Sequence, residues 1–191
     1  VTFTGTGAND TVGHGLGAAP EIIIFKNYGG ISGWKMFTNQ TPSPSTQVME
    51  LSDPSAYQTP TNPFNSTLPT STVFSVGTYS DINSSGGTFI AYCFKSVAGY
   101  SKIGSYTGNA SDAGPIINTG FEPAWLMIKI SDGSADSWFM VDNKRQTSNP
   151  RDERVFANSD VAEASEPGAK VDFFTNGFQI RGSGGGQGQV N

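Results

Sequence analysis

The sequence predicts an all-β protein that consists of two tandem, duplicated β-sandwich or jelly-roll-like units. Three observations favour this fold class. Short runs of β-branched and aromatic residues alternate with clusters of Gly, Asn, Asp, Ser and Pro, as in strands joined by turns. Gly and Pro, which are unfavourable inside helices, are frequent, with 24 and 11 residues among 191. Finally, short sequences of the first half of the chain recur in the second half.

The repeated sequences keep a nearly constant spacing. "APEIIIFK" (residues 19–26) corresponds to "EPAWLMIK" (residues 122–129), and their prolines are 103 residues apart (123 − 20). The tryptophans of "GWKMF" and "SWFMV" are 104 residues apart (138 − 34), which indicates one inserted residue. Solenoid repeats reach only about 50 residues, so the period predicts duplication of a small domain. We predict a first unit over residues 1–98 and a second over residues 99–191.

Each unit contains five or six predicted strands. In the first unit they are "VTFTGTG", "EIIIFKN", "GWKMFTN", "VMELS", "TVFSVGTY" and "GTFIAYCFKSV". In the second they are "SKIGSYTG", "AWLMIKIS", "SWFMVDN", "RVFANS" and "VDFFTNGFQIR". "IIIF" and "WLMI" are apolar throughout, which predicts strands covered on both faces. The only helix candidate is "DVAEASE", residues 160–166.

The two units differ at their ends. The second unit has "GSGGGQGQVN" where the first continues into "GGTFIAYCF", so we expect the second unit to lack its last strand. Either the chain was cut there or a strand from elsewhere completes the sheet. The first unit also has a polar segment, residues 53–72, which predicts a long surface loop that carries contacts.

The composition argues against several partner classes. A formal net charge of −5 disfavours nucleic acids, because they require clustered Lys and Arg. No apolar stretch approaches the roughly 20 residues that a membrane-spanning helix needs, so we expect no membrane insertion. The single cysteine, Cys93, lies in an apolar run and predicts a buried thiol.

No catalytic or cofactor-binding pattern stands out. His14 is the only histidine, and the repeat aligns it with Ile117, which disfavours a Ser-His-Asp triad. The Gly-rich segments lead into strands rather than a helix N-terminus, so they predict no phosphate site. Acidic residues are present, but nothing in their spacing pairs two of them as in a glycosidase. We therefore expect no enzymatic activity, no catalytic residues and no cofactor.

Two loops contain oxygen ligands that calcium accepts. They are "DGSAD" with Asp132 and Asp136, and "NASDAG" with Asn109 and Asp112. Neither has the dense alternating carboxylates of an EF-hand, so turns stabilised by Asx side chains are favoured and no metal site is predicted.

The aromatic residues provide the candidate contacts. Trp34 and Trp138 occupy equivalent positions, where they either stack on a sugar or anchor the two cores, and the core position is favoured. Tyr57 and Phe64 lie in the long loop and are the better candidates for exposed surface or glycan contacts.

Several sequences resemble a family of tailed-bacteriophage proteins from marine and environmental phages. They are "TVGHGLGAAPEIIIFKN", "GGTFIAYCF", "GYSKIGSYTGN", "TGFEPAWLMIK" and "VDFFTNGFQIR". Members of that family are tail-fibre-like or lectin-like structural proteins. The resemblance implies a component of the virion, the extracellular phage particle, and brings no catalytic residues with it.

Three functions compete at this point. The first is a non-enzymatic virion structural protein, a tail-fibre, tail-associated or capsid-decoration module that assembles with itself and with other virion proteins. The alternative is a carbohydrate-binding module that recognises a host surface glycan. The third, a polysaccharide depolymerase, is disfavoured because the sequence shows no acid pair.

Overall fold

The computed structural model describes residues 1–131, 133, 135–165 and 168–182. The chain divides into two compact units, Val1–Ser96 and Val97–Asn191. The described residues form antiparallel sheets with a single short helix, so the predicted all-β fold class is confirmed. No helix in the described part of the chain has the length and apolar character needed to cross a membrane.

The first unit contains a five-stranded and a two-stranded antiparallel sheet. The five-stranded sheet has the strand order β1-β7-β3-β4-β5, and β2 pairs with β6. The elements are β1 (Thr2–Thr4), β2 (Asp10–Gly13), β3 (Ile22–Asn27), β4 (Lys35–Thr38), β5 (Met49–Glu50), β6 (Val73–Val76), α1 (Ser80–Asn83) and β7 (Thr88–Phe94).

The core of the first unit lies between these two sheets. Phe25 of β3 contacts Phe74 of β6 edge to face, with ring centroids 5.4 Å apart. Both side chains are at most 1% exposed. Strand side chains point alternately to the two faces of a sheet, so Ile23 and Phe25 reach the same core while Ile24 points outward.

The second unit contains a four-stranded sheet with the strand order β12-β11-β10-β9 and a three-stranded sheet with the order β13-β14-β8. Its core contains side chains from both sheets, including Phe139, Val171 and Ile180. The strands are β8 (Ile116–Asn118), β9 (Trp125–Ile128), β10 (Phe139–Asp142), β11 (Glu153–Phe156), β12 (Ala164–Ser165), β13 (Lys170–Phe174) and β14 (Gly177–Arg181).

One strand pair has the same register in both units. In the first unit Ile23 of β3 lies opposite Phe37 of β4. In the second, Leu126 of β9 lies opposite Val141 of β10. The spacings between equivalent residues are 103 (126 − 23) and 104 (141 − 37), the same values as in the sequence repeat. This recurrence is what a duplicated unit requires, because a shift of one residue would turn the apolar side chains outward.

An aromatic contact also recurs in the two units. Phe3 meets Phe74 at a centroid distance of 6.0 Å and an interplanar angle of 71°. Tyr106 meets Phe178 at 6.4 Å and 82°. The predicted alignment of His14 with Ile117 is wrong, because Ile117 lies opposite Phe178, as Val12 lies opposite Phe74. The spacing in this segment is therefore 105 (117 − 12).

Three predicted elements differ in the structure. Residues 160–163 are not helical, and Ala164–Ser165 forms β12 on β11. "VDFFTNGFQIR" is a hairpin rather than one strand, with Phe174 opposite Gly177 across a two-residue loop. "SKIGSYTG" forms no strand over residues 102–108. The predicted absence of a last strand in the second unit concerns residues 183–191, which lie outside the described residues.

The short helix α1 places a buried asparagine where it holds three parts of the first unit. Asn83 is 1% exposed. Its Nδ2 donates to the carbonyl oxygens of Ala8 (2.7 Å) and Gly77 (2.6 Å), and its Oδ1 accepts from the N–H of Thr6 (2.9 Å). The side chain therefore satisfies backbone groups that the strands leave unpaired.

Replacing Asn83 by Ala is expected to lower the free energy of unfolding by about 3 kcal/mol, since buried backbone groups lose their partners. The matched control is Asn39→Ala, an exposed asparagine whose Oδ1 accepts a hydrogen bond from its neighbour Gln40. A change below about 0.5 kcal/mol is expected for this control. Urea unfolding followed by circular dichroism measures both. Equal losses in the two variants would contradict the role of Asn83.

Candidate functional site

Aromatic side chains cover part of the outer face of the five-stranded sheet. Trp34, Tyr92 and Phe94 are 38%, 43% and 48% exposed. We call these three residues, with Lys26, the aromatic surface. Isolated exposed apolar residues are common on proteins, whereas grouped aromatic residues on one sheet face mark a contact surface.

The alternation of β7 explains why its aromatic residues are exposed. Phe89 and Ala91 point into the core and are at most 1% exposed. Tyr92 and Phe94 are exposed on the opposite face. Tyr92 lies opposite Ile24 of the neighbouring strand β3, which supports its backbone.

The rings and the lysine form a compact group. The ring centroids of Trp34 and Tyr92 are 6.5 Å apart, with an angle of 26° between their planes. The Nζ atom of Lys26 lies 5.8 Å from the centroid of the Trp34 ring, within the range of a cation–π contact. The same Nζ donates to the carbonyl oxygen of Ser32. The group thus places two partly exposed aromatic rings beside an ammonium.

The backbone of Trp34 is held by the segment that follows β5. Its N–H donates to Oγ of Ser52 (3.0 Å), and its carbonyl accepts from the N–H of Leu51 (2.8 Å). Ser52 in turn donates to Oε1 of Glu50 (3.0 Å). These contacts fix the position from which the Trp34 ring projects.

Glu50 belongs to a buried ionic network under the same strands. Lys35 is 6% exposed, and its Nζ lies 2.5 Å from Glu50 Oε2 and 3.2 Å from Asp81 Oδ2. The Tyr79 hydroxyl donates to Asp81 Oδ2 at 2.7 Å. Burial lowers the pKa of Lys35, but the interactions with Glu50, Tyr79 and Asp81 outweigh it, so the net shift is upward. The lysine is therefore a cation, as its two carboxylate partners require.

Gly33 makes room for this network. A Cβ atom at Gly33 would lie 1.7 Å from Oε1 of Glu50. Glu50 is held by Lys35 and Ser52, so it has little freedom to move away. Position 33 therefore requires a glycine, because the Glu50 carboxylate that helps to position Trp34 leaves no room for a Cβ atom.

The equivalent positions of the second unit hold no ion pair. Lys35 lies opposite Glu50 across β4 and β5, whereas Phe139 lies opposite Phe156 across β10 and β11. The guanidinium carbon of Arg154 lies 5.8 Å and 5.1 Å from those two phenylalanine rings. The equivalent cross-strand positions therefore hold an ion pair in the first unit and two aromatic rings in the second.

The structure separates the four predicted contact residues. Trp34 is exposed, and Tyr57 is half-buried in the long loop. Phe64 and Trp138 are only 2% and 4% exposed, so the predicted surface contact is wrong for Phe64, and the core position favoured for Trp138 agrees with its burial. For Trp34, which is 38% exposed, the favoured core position is wrong. Phe64 is buried because the long loop returns to the core, where its ring meets Phe37 edge to face at 5.4 Å.

Sequence reasoning missed Tyr92 and Phe94. The signal was the alternation in "TFIAYCF", which places them on the face opposite Phe89 and Ala91. The expectation that "WLMI" is covered on both faces is wrong, because Trp125 is 53% exposed.

The remaining candidate residues are His14, the acidic residues of the two polar loops and Cys93. The His14 ring is half-buried, and its Nε2 lies 3.1 Å from the carbonyl oxygen of Thr70. Among the described residues, no group of three or more His, Cys, Asp or Glu side chains is placed to hold a metal ion. Asp132 of the "DGSAD" loop, for which a turn rather than a metal site is predicted, lies outside the described residues. Cys93 is half-buried, and burial raises the pKa of its thiol.

Comparison with known proteins gives one match. Residues 1–190 match the family described as Domain of unknown function (DUF7483). The chain belongs to this family. No curated protein and no solved structure matches the chain. The family domain spans both units, so the aromatic surface of the first unit and the sheets of the second belong to one family domain.

The ion pair gives a testable asymmetry. Replacing Glu50 by Ala leaves the Lys35 ammonium buried without its closest partner, and we expect the free energy of unfolding to fall by about 3 kcal/mol. Replacing both residues, Lys35→Met with Glu50→Leu, is expected to restore most of that loss, because apolar side chains of similar volume remove the unpaired charge. Urea unfolding measures both variants. A double variant at least as unstable as Glu50→Ala would contradict this account.

Proposed function

We propose that the chain is a non-enzymatic structural protein of a bacteriophage virion that assembles with itself and with other virion proteins. Its place would be a tail fibre, another tail-associated structure or a capsid decoration. The resemblance of its repeated sequences to tailed-phage structural proteins supports the viral setting. The exposed aromatic surface on the first unit supports the assembly.

The three aromatic residues of the aromatic surface are of the kind found in protein interfaces. Aromatic residues are enriched in protein–protein interfaces, and Lys26, whose residue type is depleted there, lies beside the Trp34 ring. Tyr92 and Phe94 lie on β7 where it pairs with β3, so they project from ordered strand backbone and their association costs little conformational entropy. Charged residues make up only 14% of the chain, compared with about 25% in average proteins, which limits repulsion between copies.

The double variant Tyr92→Ser with Phe94→Ser is expected to shift the chain towards monomer, since it removes two exposed rings from the interface. Sedimentation velocity over a hundredfold range of protein concentration measures the effect. The control is Tyr100→Ser, an aromatic residue of the other unit that is 82% exposed. A parent chain that stays monomeric at every concentration would refute self-assembly.

The viral setting has a separate test. Antibodies against the chain are expected to label purified phage particles at a regular position, visible by immunogold electron microscopy. Particles that carry no label, and no peptide of the chain by mass spectrometry, would contradict the virion assignment and leave the assembly result unaffected.

A carbohydrate-binding function is the second candidate, and one specific observation favours it. Trp34 and Tyr92 are neighbouring aromatic residues that are 38% and 43% exposed, aromatic rings can stack on a sugar, and Lys26 supplies an adjacent hydrogen-bond donor. Ring faces beside a polar donor suit a pyranose, which has an apolar face and hydroxyl groups at its edge. In this function the ligand is a host surface glycan and the aromatic surface faces the medium.

Trp34→Ala is expected to reduce binding to a glycan array by tenfold or more, because the stacking face is lost. Trp125→Ala is the matched control, since Trp125 is also exposed but has no aromatic ring contact among the described residues. Equal binding by both variants, or no glycan bound by the parent chain, would refute the carbohydrate function. A Trp34→Ala variant that has lost glycan binding but still self-associates distinguishes the carbohydrate-binding function from the assembly function.

A further inference from the structure

A lysine amine, two carboxylates and a phenol meet inside the first unit. Lys35 belongs to β4, Glu50 to β5 and Asp81 to α1, and Tyr79 is the N-cap residue of α1. We call these four residues the Lys35 cluster. The Nζ atom of Lys35 lies 2.5 Å from Oε2 of Glu50 and 3.2 Å from Oδ2 of Asp81. Groups that react in enzymes are held about 3–3.5 Å apart, so the amine lies within reach of both carboxyl groups.

Three separate elements hold the Lys35 cluster together. Lys35 and Glu50 lie opposite each other on neighbouring strands. Asp81 comes from α1, which the buried side chain of Asn83 fixes to the backbone of the first unit. The Nζ atom of Lys35 also lies 5.9 Å from the centre of the Tyr79 ring. Lys35 is itself buried, so its amine is held against the carboxyl groups rather than exposed to solvent.

Glu50 has the contacts of a base. Its Oε2 atom is closer to the amine than the Asp81 carboxylate is, and its Oε1 atom accepts a hydrogen bond from Ser52 (3.0 Å). Both oxygens thus face donors, as an ionised carboxylate requires. A carboxylate within hydrogen-bond distance of an amine can accept a proton from it and pass that proton on.

Asp81 has the contacts of an electrophile. The Tyr79 hydroxyl donates to Oδ2 of Asp81 at 2.7 Å. Burial raises the pKa of Tyr79, so the phenol keeps its proton at neutral pH. When Asp81 takes up a proton on Oδ1, its Oδ2 becomes a carbonyl oxygen. The phenol then stabilises the negative charge that develops on this oxygen when the carboxyl carbon is attacked.

We propose that the Lys35 cluster is a covalent cross-linking site, at which the amine of Lys35 condenses with the carboxyl group of Asp81 to form an intramolecular amide bond. Lys35 is the nucleophile, Asp81 is the electrophile, and Glu50 carries a proton between them. The bond joins β4 to α1 and closes the chain between residues 35 and 81 into a ring that includes the long loop. This proposal rests on the contacts of the Lys35 cluster and does not depend on the proposed virion function.

The reaction begins from the ion pairs and takes no proton from solvent. One proton of the Lys35 ammonium moves to Oδ1 of Asp81, which leaves a neutral amine and a neutral acid. The bond between Nζ and Cγ then forms, Glu50 accepts a second proton from Nζ and passes it to Oδ1, and the bond between Cγ and Oδ1 breaks. Oδ1 leaves as water with both protons, the amide keeps the third, and Glu50 is again a carboxylate. Nothing is oxidised or reduced.

Confinement of the two groups favours this condensation. In water, an amine and a carboxylic acid are separate ions near neutral pH and do not condense. Groups held in reactive geometry within one molecule behave as though their concentration were roughly 10⁵–10⁸ M. The Asp81 side chain is 35% exposed, which gives the released water a route to solvent. The second unit has Phe139 and Phe156 at the positions of Lys35 and Glu50, so this pair cannot form the bond.

The test is the intact mass of the purified 191-residue chain, measured after several days at physiological temperature. We expect the chain to be lighter than its sequence mass by one water molecule. Trypsin is expected no longer to cleave after Lys35, and tandem mass spectrometry is expected to place the link between Lys35 and Asp81. A parent chain that keeps its full sequence mass, or one in which Lys35 is linked to Glu50 instead, would overturn the proposal.

Lys35→Arg is the matched control, because a guanidinium keeps the positive charge beside both carboxylates but is not a nucleophile. This variant and Asp81→Ala are expected to keep the full sequence mass. Loss of water from Lys35→Arg would mean that the chain dehydrates without the amine, and would contradict cross-linking.

Glu50→Gln tests the proton carrier. The amide side chain keeps the size of Glu50 but cannot accept a proton from the amine. We therefore expect the cross-link to form at least tenfold more slowly, with an unchanged circular dichroism spectrum. An unchanged rate in this folded variant would refute the role of Glu50. If the variant does not fold, the mass and the peptide map of the parent chain decide whether the bond forms.

Discussion

The antiparallel pairing of a central apolar strand with the strand that follows it is the constraint on which both units depend. Side chains alternate across a strand, so a slip of one residue would expose Ile23 and Phe25 and bury Ile24. The pairing of β3 with β4 meets this requirement, and the pairing of β9 with β10 meets it in the same register. Each unit then closes its core with a second, smaller sheet.

The two units satisfy this constraint with different chemistry beside the shared strand pair. The first unit buries an ammonium between carboxylates, whereas the second pairs two phenylalanine rings under a guanidinium. A buried ion pair is not more stabilising than an apolar pair of the same volume, but it is more directional. In the first unit the ion pair positions Glu50, which accepts a hydrogen bond from Ser52. Ser52 in turn accepts from the backbone N–H of Trp34, at the edge of the aromatic surface.

The fold class and the repeat could be predicted from local sequence patterns, whereas the exposure of individual side chains could not. Gly and Pro spacing, β-branched runs and the recurrence of "PEIIIFK" as "PAWLMIK" depend on neighbouring residues and are readable in the sequence. Whether Trp34 or Trp138 is exposed depends on segments far away in the chain, as does the burial of Phe64 against Phe37. The hairpin at "TNG" had a local signal that was missed, and helix α1 had none, because Asn83 is stabilised by tertiary contacts.

The shared register is tested most directly by NMR. In the pairs that are not hydrogen-bonded, the Cα atoms of antiparallel strands approach to about 4.5 Å, which gives strong Hα–Hα nuclear Overhauser effects. Such effects are expected between Ile24 and Met36 and between Met127 and Met140. Observation of the first contact with the second displaced by one residue, or absent, would contradict the account of two units with one strand register.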